Sequence, residues 1–282
     1  MTTAVRLAAV AATLAVLVWQ LGAGPFLDGL RAVDGGALAA ASALAALTTV
    51  CCAWRWRIVA RGLGVELPLG TAVAAYYRSI FLNVTLPGGL VGDVHRGIGY
   101  GLRAVVWERT AGQVVQVVLT VAVLLVLASP VRPVMPFVAL GLLAAAAGVA
   151  LAIRGRPARD LRDGLLASRA WPVIALASAL VVAGHAATFL IAARTAGGTA
   201  PMSQMLPLAL LVLLLAALPN VGGWGPREGA AAWVFAAAGL GASLGVATAV
   251  VYGVMVLVAS LPGAVVLVAG IVARRDGALV HV

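Results

Sequence analysis

The sequence predicts an all-α, polytopic membrane protein, and three observations carry that prediction. Of its 282 residues, 63% are hydrophobic and only 10% are charged, with a mean hydropathy of +1.10, well away from the averages of soluble domains. The charges are spaced so that residues 7–27, 35–54, 110–131, 133–153 and 170–193 contain no Asp, Glu, Lys or Arg. Each of these windows is about the ~20 residues that cross a bilayer as a helix. Two further apolar segments are broken in nearly the same way. The first reads Leu86-Pro87-Gly88-Gly89-Leu90-Val91-Gly92-Asp93-Val94-His95-Arg96 and the second Leu218-Pro219-Asn220-Val221-Gly222-Gly223-Trp224-Gly225-Pro226-Arg227-Glu228-Gly229.

Taken in order, window 7–27 reads as a first transmembrane helix rather than a cleaved signal, because no small-residue cleavage site precedes a polar start. Window 35–54 is a second span, and the basic stretch Arg55-Trp56-Arg57 to Arg61 reads as the loop after it. A first broken segment occupies 67–104. Spans at 110–129 and 134–153 follow, then an arginine-rich loop at 154–169 and a span at 170–193. A second broken segment occupies 206–242. The uncharged window 229–273 is long enough for two crossings joined near Gly239-Leu240-Gly241. The expectation is one domain over 1–282, with about six full spans and two broken or re-entrant elements, some eight helices in all. The polar stretch 154–169 is too short to fold alone.

Proline removes a backbone donor and glycine frees the chain, so each Leu-Pro-Gly string should stop or unwind its helix. The breaks are carried by Pro87, Gly88, Gly89 and Gly92 in the first segment and by Pro219, Gly222 and Gly223 in the second. Unwound backbone survives at membrane depth only where protein buries it or water reaches it. A pair of such breaks in corresponding places points to a binding site between two repeats, which can be inverted in topology.

Orientation supports the same picture. All nineteen basic residues are arginine, and short arginine-rich loops stay in the cytoplasm. Loop 55–66, the five-arginine loop 154–169 (Arg154, Arg156, Arg159, Arg162 and Arg169) and the tail Arg274-Arg275 therefore belong on one side. That holds only if 67–104 enters the membrane and returns as a re-entrant hairpin. Both termini then lie in the cytoplasm of what is expected to be a bacterial plasma membrane.

A charge at bilayer depth costs about 2.5–3.5 kcal/mol on insertion scales and normally faces a cavity or a partner. Asp93, Arg96, Glu108, Arg109, Arg227 and Glu228 meet that description. Asp93 and Arg96 are three apart and share a helix face. Glu108 stands where helix 110–129 is expected to begin, a place that suits an acid through the helix dipole. Arg227 follows a Gly-Gly-Trp-Gly-Pro lead-in, and a helix starting at Pro226 or Arg227 would add exposed backbone donors beside a guanidinium fork suited to phosphate.

Other chemistry is excluded or unsupported. The adjacent Cys51 and Cys52 suggest neither a disulfide nor a metal site. Gly97-x-Gly99-x-Gly101 lacks the preceding strand and the spacing of a dinucleotide fingerprint. Arginines scattered among apolar spans do not make a nucleic-acid surface, and no cofactor or enzyme signature is present.

The ordered run Trp54-Arg55-Trp56-Arg57, Phe81-Leu82-Asn83-x-x-Leu86-Pro87-Gly88-Gly89-x-x-Gly92-Asp93-x-x-Arg96, and Glu108-Arg109-x-x-Gly112 resembles the lysylphosphatidylglycerol synthase transmembrane region family. The later Leu218-Pro219-x-x-Gly222-Gly223-x-Gly225-x-Arg227-Glu228-Gly229 is similar to that family's second hallmark. The resemblance implies a flippase-like module that moves a phosphate-bearing glyco- or aminoacyl-lipid between leaflets, with membrane phospholipid or glycolipid as its partner. It also implies substrate-binding roles for Asn83, Asp93, Arg96, Glu108, Arg109, Arg227 and Glu228. The resemblance covers no cytosolic aminoacyl-transferase domain, so the synthase activity in the family name is not expected to carry over. The other expectation is a non-catalytic membrane subunit that binds a polyprenyl-phosphate sugar or partners a glycosyltransferase. One departure is local: Gly89-Leu90-Val91-Gly92-Asp93 stands where the family more often sets two glycines directly before the acid.

Overall fold

The computed structural model describes residue 19 and residues 24–86, 90–152, 155–166, 170–216 and 225–279. The break residues Pro87, Gly88, Gly89, Pro219, Gly222 and Gly223 lie outside these residues, as do Arg154, Arg169 and most of the first expected span. Within them the chain is helical: α1 (Gly24–Ala32), α2 (Gly35–Gly62), α3 (Leu69–Thr85), α4 (Val91–Tyr100), α5 (Leu102–Val126), α6 (Met135–Ala152), α7 (Arg156–Asp160), α8 (Trp171–Thr195), α9 (Met202–Ala216), α10 (Pro226–Ala237) and α11 (Ala242–Leu279). Among the described residues, five stretches are long and apolar enough to cross a membrane: Gly35–Gly62, Leu102–Val126, Arg132–Val149, Trp171–Thr195 and Ala242–Gly270. They coincide with the last five of the six expected spans. The helix count exceeds eight because each broken element contributes two helices and two connecting stretches wind into short ones.

Helices α2–α5 and α8–α11 run through the same sequence of long, short, short and long elements. Their packing exchanges partners between the halves: α2 lies along α8, α3 lies against α11, and α9 lies against α5. A two-fold arrangement of repeats would exchange partners in this way. Each half has its own core. In the first, Trp56 packs edge-on against Tyr76 and Tyr100 among alanines. In the second, Phe189 packs between Phe235 and Tyr252, with ring centroids 6.4 and 5.5 Å apart. The joint foreseen at Gly239-Leu240-Gly241 separates α10 from α11, and both of its glycines adopt the left-handed backbone that glycine tolerates best, φ 75° and 87°.

Segment 67–101 leaves one face of the protein and returns to it. The end of α2 and the start of α5 both dock on the same stretch. A Cβ on Gly62 would stand 2.5 Å from the Asp163 carbonyl oxygen, and Arg103 donates to Asp160. Between them, α3 and α4 pack as a hairpin so tight that a Cβ on Gly92 would meet the Ser79 carbonyl oxygen at 2.0 Å. At 10 residues, α4 rises only about 15 Å, half of a ~30 Å hydrocarbon layer. The re-entrant expectation therefore has its geometry. It also follows that residues 155–166 lie on the same face as Gly62. Helix α6 stands at the periphery with only 6% of its span buried, as an all-apolar helix does when it faces lipid.

Two sequence expectations are corrected here. Residues Arg55 to Gly62 are not a loop but the last two turns of α2, and Arg55 is buried. Helix α5 begins at Leu102, not at 110, so Glu108 is not a first-turn acid facing a helix dipole. It sits almost two turns inside the helix and is fully buried.

Candidate functional site

Five charged side chains from three helices converge in the first half, joined by polar side chains of α3. Arg55 on α2 donates from Nε to Glu108 Oε1 at 3.0 Å, makes a second bond to it through Nη2, and reaches Ser178 Oγ on α8 from Nη1 at 3.0 Å. Gly112, one turn along α5 from Glu108, clears the room. A Cβ there would press on the Arg55 guanidinium at 2.8 Å. Glu108 Oε1 also accepts from the Tyr76 hydroxyl at 2.9 Å, and Oε2 accepts from Arg96 Nη2 at 3.1 Å.

Asp93 is the second hub. Its Oδ1 accepts from Arg96 Nη2 at 3.0 Å and Ser79 Oγ at 3.2 Å, and its Oδ2 accepts from Asn83 Nδ2 at 2.9 Å and from Arg109 Nη2. The Asn83 carbonyl in turn accepts from the Gly92 N–H at 2.8 Å, so Asn83 caps a donor at the start of α4 that the helix cannot satisfy itself. The foreseen Asp93–Arg96 pair is present. Arg96 is sandwiched between aromatic faces, its Cζ 4.1 Å from the Tyr76 ring centre and 4.4 Å from that of Trp56, a cation–π geometry. Three guanidiniums thus face two carboxylates. Burying such charges is favourable only where hydrogen bonds replace lost water, and each carboxylate here takes at least three donors.

The second half holds a smaller site. Helix α10 starts at Pro226, as anticipated. Arg227 donates to Glu228 Oε1 from Nε at 3.0 Å and Nη2 at 2.6 Å, while Glu228 Oε2 accepts the Gly225 N–H at 2.6 Å. Arg227 lies 5.4 Å from the centre of the Tyr252 ring, whose hydroxyl shares a 3.1 Å hydrogen bond with His185 Nδ1.

One cavity of about 440 Å³ meets both sites, and Arg55, Arg109 and Arg227 all line it. Its walls are single stripes of otherwise apolar helices. Ala41, Ala45, Thr48, Thr49, Cys52 and Arg55 line it from α2; Arg109, Gly112, Gln113 and Gln116 from α5. Ser178, His185 and Thr188 face it from α8, and Tyr252, Met255 and Ser260 from α11. Spacings mostly of three, four and seven keep each set near one helix face. Along α2 the stripe runs about 21 Å at 1.5 Å per residue.

Of the residues foreseen, Arg109 and Arg227 reach this cavity. Asn83, Asp93, Arg96, Glu108 and Glu228 form the layer behind it and hold the arginines in place. Arg55, Tyr76, Ser178, His185, Tyr252, Gln113 and Gln116 were not singled out from the sequence as site residues. A signal for Arg55 and Gly112 was present, since both fall in the motifs quoted above. Among the described residues, no group of three or more His, Cys, Asp or Glu could hold a metal ion.

Comparison with curated proteins and with solved structures gave no match. A family profile described as Lysylphosphatidylglycerol synthase TM region matches residues 3–263. With nearly the whole chain matched, and with an all-helical membrane fold whose two hairpins carry the arginine-bearing hallmarks, this protein belongs to the lysylphosphatidylglycerol synthase TM region family.

Proposed function

We propose that this protein is a non-enzymatic transporter that moves a phosphate-bearing lipid between leaflets, taking its headgroup into the cavity between the two hairpins. The observation that carries the reading is that single cavity, because arginines from both halves face it. At about 440 Å³ it falls in the 300–1,000 Å³ range of ligand sites. That accommodates a headgroup, while acyl chains remain in the surrounding lipid. Arg109 bridges Asp93 with one nitrogen and keeps 42% of its side chain exposed, so donors remain for phosphate oxygens. Arg227 contributes the opposite contact. Asp93, Glu108 and Glu228 position the guanidiniums, and relative motion of the two halves would expose the cavity to each leaflet in turn. By the positive-inside rule, the face carrying Arg61 and residues 155–166 is cytoplasmic.

Leaflet-resolved movement of labelled phosphatidylglycerol in liposomes tests the reading. Arg227→Ala and Glu228→Ala should each slow movement at least about tenfold, the effect of ~1.4 kcal/mol at the site. Parent-like rates for both would remove the site assignment. Stoichiometric co-purification with a lipid-modifying enzyme, with no lipid movement by the chain alone, would favour a helper subunit instead.

A further inference from the structure

Resting on the lipid-headgroup reading, we infer that this cavity selects a net-anionic, hydroxyl-bearing phosphodiester headgroup and rejects an aminoacylated, cationic one. The inference rests on where the carboxylates are. Among the described residues three arginines line the cavity, and no Asp or Glu does. The chain has nine Asp and Glu residues. Three of them, Asp93, Glu108 and Glu228, stand behind the arginines with their oxygens directed at guanidinium, hydroxyl, amide or backbone donors. The undescribed stretches that carry the two breaks, 87–89 and 217–224, contain no Asp or Glu. An ammonium entering it would meet guanidinium groups first, with their carboxylate partners engaged behind them, and like-charge juxtaposition opposes association.

The remaining polar lining suits hydroxyls. Gln113 and Gln116 follow Arg109 on the same face of α5, and each carries an amide that both donates and accepts. Thr48 and Thr188 donate their hydroxyl protons to the carbonyls of Ala45 and Gly184, which leaves their oxygens as acceptors. An anion at Arg109 would therefore place a neighbouring glycerol or sugar against donors and acceptors without a charge.

The test is competitive retention on the purified protein in phosphatidylcholine nanodiscs, read by native mass spectrometry. The probes are phosphatidylglycerol and its lysyl ester, which sets two ammonium groups against one phosphate. The parent should retain phosphatidylglycerol at least about tenfold over the lysyl ester. Gln113→Glu, which puts a carboxylate one turn from Arg109, should cut that ratio about tenfold or reverse it. Equal or greater retention of the lysyl ester by the parent overturns the inference, as does an unchanged ratio in Gln113→Glu. Glycerol 3-phosphate at the same concentration should leave the lipid bound; displacement would make a soluble anion the ligand and overturn the lipid assignment. Retention with the expected ratio, but no movement between leaflets, would sink the transport reading and leave the charge selection standing. Retention of neither probe above background overturns both.

Discussion

The two hairpins are built alike and wired differently. Around α3–α4 the charges reach across the fold: Arg55, Asp93, Arg96, Glu108 and Arg109 come from three helices, and Arg55 also binds Ser178 on a fourth. In the α10 site the ion pair is between neighbours, Arg227 and Glu228, closed by a bond to Gly225 three residues back. The first site is therefore part of what holds the helices together and cannot change without moving several of them. The second is a local cap that presents one arginine to the cavity. On the proposed transport reading, the first site defines the pocket and the second is the one able to respond.

The comparison breaks most directly at Glu108. Glu108→Gln leaves Arg55 and Arg96 buried with fewer counter-charges, and losing one partner of a buried ionic network costs about 3–5 kcal/mol. A large drop in melting temperature, or loss of monodisperse protein in detergent, is the expected result. A near-parental melting curve would show that the first site is not structural.

Next in size are two glycines at close helix contacts, Gly92 between α4 and α3 and Gly245 between α11 and α10. A Cβ on Gly92 would stand 2.0 Å from the Ser79 carbonyl oxygen, and one on Gly245 would stand 2.3 Å from that of Ala231. Each Gly→Ala change forces backbone apart and should cost about 1–3 kcal/mol, the usual cost of overpacking. Their functional effects should differ. Moving α4 off α3 separates Asp93 from Ser79 and Asn83, so Gly92→Ala should slow lipid movement beyond what its melting temperature explains. The Arg227–Glu228 pair is closed by local bonds, so Gly245→Ala should lose stability and keep its rate per folded molecule. Equal rate losses in the two variants would erase the distinction.

The smallest effect tests the second site alone. Tyr252→Phe keeps the ring beside Arg227 and removes the hydroxyl bonded to His185, a change of about 1 kcal/mol. Its melting temperature should fall slightly, and its selectivity between anionic and cationic lipids should not change.

How much of this was legible beforehand follows from how local each signal is. The Asp93–Arg96 pair could be foreseen because three residues on a helix are a fixed distance apart. Glu108 could not be placed, because Arg103, Glu108 and Arg109 precede the uncharged window and made 110 look like a helix start. In the structure Arg103 lies near the end of α5 with half its side chain exposed, bound to Asp160, where a long arginine can reach polar surroundings while its helix continues. Arg55 was lost to the same habit of reading a charge as a boundary. The loop 154–169 was read as an exposed basic stretch; its described part docks on α2 and α5 through Asp160, Asp163 and Gly164.

As a bare string, the chain already carries its membrane class, its spans and its paired breaks, because hydrophobic length and the backbone limits of proline and glycine act within a few residues. It does not carry the wiring. Arg55 finds Glu108 53 positions away and Ser178 123 positions away, and no periodicity encodes those choices. Only helix packing sorts the arginines into those that line the cavity and those sealed behind it, and the same packing keeps Asp93, Glu108 and Glu228 out of the lining. Coulomb interactions and desolvation depend on distance in space, so the charge that a headgroup would meet is a property of the folded molecule.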